Sequence, residues 1–177
     1  LGLVPAFYVL TFLIMRLIER PLPDPVAVPI HTAPLLFLLF FVPAAGEELG
    51  WSGYATDPLR ARWGAFRAGV LLGIVWQVWH VIPNLQAGHP ASWIWWHSVY
   101  SVALRVVIVW SFNHTGRSVF AAILVHAMDN VSWSLFPNDG SHLDPLVLSF
   151  VAWSFVLVVV AARRSSLLAR FRRLPQA

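Results

Sequence analysis

The 177 residues are 58% hydrophobic and 11% charged, with a mean hydropathy of +0.68, whereas soluble domains run at roughly 45–50% apolar and about 25% charged. That balance excludes an ordinary soluble fold, whose polar residues would be too few to cover its surface, and makes the bilayer the natural solvent. The net charge of +4 comes without a basic stripe interleaved with exposed aromatics, so it reads as charge flanking a membrane and not as a nucleic-acid surface.

Cysteine is absent, which removes disulfides and thiolate metal sites. All twelve basic residues are Arg, a coding bias without mechanistic content. The chain opens at Leu1 and lacks a basic leader with a small-residue cleavage site, so it is read as a trimmed chain without a signal peptide.

A spanning helix needs about 20 mostly apolar residues. Residues 1–18 are the first candidate, closed by Arg16, Glu19 and Arg20. The next stretch holds prolines at 21, 23, 25, 29 and 34 and reads as a loop. Residues 35–45 form a second apolar run leading into Gly46, Glu47 and Glu48. Residues 51–67, with Pro58 and three Arg, read as an interfacial segment. Residues 68–82 are the third span, ending at Pro83; 92–112, 118–136 and 146–162 are the fourth, fifth and sixth. The tail carries Arg163, Arg164, Arg170, Arg172 and Arg173. The predicted fold is all-α, a polytopic transmembrane helical bundle of about six membrane helices. It makes a single membrane domain over 1–177 with a basic cytoplasmic tail over 163–177.

Orientation follows from arginine. With the tail in the cytoplasm, Arg60, Arg62, Arg67 and Arg117 fall on the same side as the tail, and Arg20 falls outside. The expected location is multi-pass in a bacterial plasma membrane.

Ionisable residues inside a span are costly and usually face a cavity or a partner. Here they are Glu47 and Glu48 at the end of the second span, His80 in the third, Arg105 in the fourth, and His126 and Asp129, with the polar Asn130, in the fifth. His126 and Asn130 are spaced i,i+4 and share a helix face. At about 1.5 Å per residue, His126 lies roughly 13 Å from Arg117 and His80 roughly 20 Å from Arg67. All of them can therefore meet inside the membrane. Two carboxylates and two imidazoles in low dielectric make a proton-transfer centre, with a carboxylate to activate water and the imidazoles and amide to stabilise an oxyanion. Asp129 is read as a structural partner, and Arg105 as pairing with a carboxylate or a backbone carbonyl. His31, His89, His97, His114 and His142 fall near loops or span ends and are set aside. Gly69 and Gly73 permit close helix contact.

Three motifs resemble those of the CPBP intramembrane proteases, a family that includes the type II CAAX prenyl endopeptidases and bacteriocin-processing or immunity proteins, also called the Abi family. Gly46-Glu47-Glu48-Leu49-Gly50-Trp51-Ser52-Gly53-Tyr54 resembles the first motif, a Glu-Glu pair followed by Trp-Arg-Gly or a close variant. Trp76-Gln77-Val78-Trp79-His80 is similar to the second, and His126-Ala127-Met128-Asp129-Asn130 to the third. The resemblance covers residues 35–136 and marks them as the catalytic core. Ser52 departs from it, standing where many members have Arg; Arg60 or Arg62 are the candidates to supply that charge instead. The resemblance implies endopeptidase chemistry within the membrane. Glu47 would be the general base, Glu48 its support, His80 the residue that orients water or shares its proton, and His126 with Asn130 the oxyanion site.

The expected partners are the lipid bilayer and a peptide or membrane-protein substrate, with no nucleic acid. No cofactor is expected. Zinc is the alternative, held by Glu47, His80 and His126, which are suitable ligand types; no HExxH pair supports it. The functional alternative is a non-catalytic membrane immunity or scaffold protein of the same family. A proton-coupled transporter lacks the paired internal repeats expected of many such folds.

Overall fold

The computed structural model describes residues 1–22, 29–136 and 143–171, with side chains described through residue 162. Its helices are α1 (Leu3–Leu17), α2 (Ala33–Gly50), α3 (Thr56–Gln86), α4 (Ala91–His114), α5 (Val119–Leu135) and α6 (Pro145–Phe171). A 3-10 turn over Ile30–Thr32 precedes α2, and a π-helical segment over Trp51–Ala55 joins α2 to α3. No strand occurs among the described residues.

The sequence patterns explain most boundaries. Pro34 sits in the first turn of α2, where a missing N–H costs nothing, so the helix begins at Ala33 and not after the proline. Pro83 does not end α3 as its sequence suggests. A proline in the last turn forfeits one hydrogen bond, and the chain continues to Gln86 until Gly88, at φ +78°, turns it away. The segment expected at the interface is helical too. It is interrupted only at Gly64, whose φ of 79° and ψ of 161° break α3 into a short first piece and a long second one. Beyond Ala162, α6 runs on to Phe171, so the basic tail begins as helix.

Six helices lie where six spans are expected. By length and hydropathy alone the crossing-competent stretches are Ile30–Gln86 and Pro145–Ala162, while α1 and α5 are apolar but shorter. The bundle is inside-out relative to a soluble protein. Leu35, Leu38, Leu39 and Val42 of α2 and Val78 and Trp79 of α3 are exposed, whereas Glu48, Arg105, His126 and Asp129 are buried. Exposed apolar faces of this extent need lipid to cover them, and the buried charges are the arrangement expected of membrane helices.

The most enclosed helix is α4. Tyr100, Ser101 and every residue from Ala103 to Val109 are buried, between α3 on one side and α6 on the other. Contact with α3 depends on two glycines. A Cβ at Gly69 would lie 3.0 Å from Val106 Cα, and one at Gly73 would lie 2.9 Å from Val102 Cα. Small residues at this spacing let helix backbones touch. α5 packs on α2, and α1 packs on α5 and α6.

Candidate active site

Glu47 and Glu48 lie in the last turn of α2. Adjacent helical residues point about 100° apart, and the two carboxylates have separate surroundings. Glu48 is fully buried. Arg105 Nη1 donates to its two oxygens at 2.7 and 2.9 Å. His126 Nδ1 donates to Oε1 at 2.9 Å, and the Ser52 hydroxyl donates to Oε2. Donors from α4, α5 and the π-helical segment thus converge on one carboxylate. A buried ion costs several kcal/mol unless its partner is close and its lone pairs are met; both conditions hold here. Arg105 is itself fully buried, with its guanidinium 4.2 Å from the Trp76 ring and 5.9 Å from Trp51. Its Nε and Nη2 have no hydrogen-bond partner among the described residues.

Glu47 is only half-buried. Its Oε2 accepts from the Trp76 indole N–H at 2.7 Å. The carbonyl of the same tryptophan accepts from His80 Nδ1 at 2.8 Å. A carbonyl cannot donate, so Nδ1 of His80 is the donor and Nε2 is left facing away from this bond. The His80 and His126 rings meet the Trp76 ring edge-on at 5.0 and 5.3 Å. Trp76 therefore touches Glu47, His80, His126 and Arg105. Among the described residues, no hydrogen bond occupies Glu47 Oε1, either Nε2, or the Asn130 side chain. Asn130 follows His126 by one turn on α5 and is half-buried; among the described residues no side-chain hydrogen bond joins it to the other four.

Asp129 points elsewhere. Its Oδ1 accepts from the Tyr8 hydroxyl at 3.0 Å and from the Tyr100 hydroxyl, tying α1 and α4 to α5 as a structural partner would. The positive partner of the glutamates is neither Arg60 nor Arg62. Arg60 pairs with Asp57 at 3.1 Å, and Arg62 lies 5.4 Å from the Trp63 ring, both in the first piece of α3. Among the described residues, no group of three or more His, Asp or Glu is gathered closely enough to hold a metal ion. Glu47 Oε1 and the Nε2 atoms of His80 and His126 are suitable ligand types left unengaged, but Glu47, His80 and His126 are not gathered into such a group here.

Sequence reasoning missed two features. Ser52 follows Glu48 by four residues, so its hydroxyl could have been placed on that carboxylate. Trp76 stood out only as the first residue of the second motif, and nothing marked it, among ten tryptophans, as the hub. His142 lies outside the described residues.

An apolar helical bundle that turns a glutamate, an arginine and a histidine inward is a membrane protein with ionisable side chains gathered in its interior. Comparison with known proteins supplies the family. Residues 29–132 match the family described as Type II CAAX prenyl endopeptidase Rce1-like, and the chain belongs to it. It is also similar to the CAAX prenyl protease 2 of Methanococcus maripaludis, at 31% identity over 135 residues, which cover 70% of this chain and 49% of that relative. The chain thus spans about half the length of the curated relative it matches.

Proposed function

We propose that this chain is an intramembrane endopeptidase in which Glu47 activates the water that attacks a peptide bond. One observation carries the reading: the two glutamates have different surroundings. Glu48 is enclosed by Arg105, His126 and Ser52 and has no access to water. Glu47 is half-exposed, held by one oxygen, with the other free. Glu47 Oε1 takes a proton from water as the water oxygen bonds to the substrate carbonyl carbon. The oxyanion is met by the Asn130 amide and by the ring of His126, whose Nδ1–H stays on Glu48. The tetrahedral intermediate then collapses, its carbon–nitrogen bond breaks and the proton held on Glu47 passes to the departing amine, with His80 Nε2 accepting a hydrogen bond from the water or sharing that transfer. General-base catalysis by a positioned side chain is worth about 10²–10⁴-fold, and preorganised oxyanion donors add to it.

The relative's name makes a prenylated CAAX peptide the first substrate to try. The reaction is written without metal, and thorough chelation is expected to leave it intact; stoichiometric zinc whose removal abolishes turnover and whose return restores it would overturn that part. The non-catalytic alternative drew on Ser52, and Arg105 on Glu48 removes that support. The chain is placed as one membrane domain, with its core over 35–136 and its tail over 163–177. It is multi-pass in a bacterial plasma membrane, with that tail cytoplasmic. The deciding experiment is cleavage of a farnesylated CAAX peptide by purified protein beside Glu47→Gln. The variant is expected to fold and to lose about 10²–10⁴-fold in turnover. Near-normal turnover would remove Glu47 as the base.

A further inference from the structure

We infer that Arg105, on α4, takes the place of the motif arginine that Ser52 has replaced at the end of α2, acting as a positioning residue that holds Glu48 and, through Glu48, the ring of His126. Its activity arm rests on the endopeptidase reading above; its structural arms do not.

Residue 52 follows Glu48 by four positions and shares its helix face, as the hydroxyl contact between them shows. An arginine there would reach Glu48 from its own helix. Serine supplies one hydrogen bond and no charge. The guanidinium that Glu48 does bind comes from 57 residues further on, with both side chains fully buried. Features on other elements make room for it. Ser52 is small and buried. Gly73 brings the α4 backbone against α3, where an added Cβ would lie 3.2 Å from Arg105 Cβ. Trp76 offers its ring to the guanidinium at 4.2 Å, a distance at which the ring quadrupole attracts a cation. Arg105 and His126 both donate to Oε1 of Glu48. Fixing that oxygen fixes the ring orientation of His126, commits its Nδ1 proton and leaves Nε2 for the reaction. Arg105 touches no reacting atom in this scheme; it acts through Glu48.

The test relocates the charge. Full-length protein is prepared in detergent as wild type, Arg105→Met, Ser52→Arg and the Ser52→Arg/Arg105→Met double variant, with ¹⁵N-labelled histidine. The melting temperature and the His126 ring nitrogen signals, assigned by their absence in His126→Gln, are read for each. Turnover of a farnesylated CAAX peptide is read alongside. Arg105→Met is expected to lower the melting temperature, shift the His126 signals and cut turnover at least tenfold. The double variant is expected to recover all three towards wild type. If Arg105→Met yields no folded protein, recovery of a folded double variant with wild-type-like His126 signals supports the inference. A double variant no better than Arg105→Met, or His126 signals unmoved by Arg105→Met, overturns it. Wild-type protein that cleaves no peptide overturns the endopeptidase reading, and the melting and nitrogen signals then decide on Arg105 by themselves.

Discussion

At the scale of single residues, two neighbouring glutamates carry different burdens. Glu48→Gln would remove the counter-charge of a fully buried arginine. Breaking a buried pair from one side costs about 3–5 kcal/mol, because the remaining charge is left uncompensated. Glu47→Gln keeps an acceptor for the Trp76 N–H and strands no charge. Thermal unfolding in detergent is therefore expected to find Glu48→Gln strongly destabilised and Glu47→Gln close to wild type, the reverse of their order if turnover alone depended on each base. Equal melting of the two variants would contradict the burial of the ion pair. Much of this site was legible beforehand, because an acid or an imidazole inside an apolar run stands out by its cost alone; Glu47, Glu48, His80 and His126 drew attention that way. The partner of Glu48 was not legible. Arg105 was equally conspicuous, but a carboxylate or a carbonyl would have satisfied it, and only the packing of α3 against α4 selects between them. Asn130 is uncharged, and its link to the site rests on helix periodicity with His126.

Helices and their contacts explain how an arginine reaches that depth. α3 and α4 approach along Gly69 and Gly73, where an added Cβ would fall 3.0 and 2.9 Å from backbone atoms of α4. Gly73→Ala cannot be absorbed by a flexible side chain, since Val102 Cα and carbonyl O line the gap; overpacking of this kind costs about 1–3 kcal/mol. The helices should separate and draw Arg105 away from Glu48, so lower stability and lower turnover are expected together. Gly50→Ala is the matched control. Its backbone is helical and nothing lies within 4 Å of the added carbon, so stability should hold. A Gly73→Ala protein that melts like wild type would mean that α4 does not sit this close. The Gly-x-x-x-Gly spacing had suggested such a contact without naming the partner helix. The prolines misled more than the glycines did. Pro83 looked like a terminus because proline usually ends a helix in water, yet inside an apolar bundle neighbouring helices and local adjustments accommodate the lost bond.

The whole molecule is organised by charge at its two ends. Asp57, at the start of α3, pairs with Arg117 in the α4–α5 connection at 3.1 Å. Arg20, after α1, pairs with Asp144, before α6, at 3.2 Å. If every helix crosses once, the connections alternate sides. The α2–α3 and α4–α5 junctions then share one face, and the α1–α2 and α5–α6 junctions share the other. Both ion pairs join connections that share a face under that alternation. The Asp57 face also holds Arg60 and Arg62, and the proposed orientation, which follows the rule that arginine accumulates in the cytoplasm, makes it the inner one. An accessibility tag inserted at Gly116, in the exposed α4–α5 turn at φ +68°, is therefore expected on the cytoplasmic side. The same tag at Gly88, in the exposed α3–α4 turn, is expected outside. These glycines bracket α4, the helix that carries Arg105. Labelling of both tags from one side of sealed vesicles would mean that α4 re-enters without crossing, and the buried arginine would then lie within a hairpin and not midway along a span.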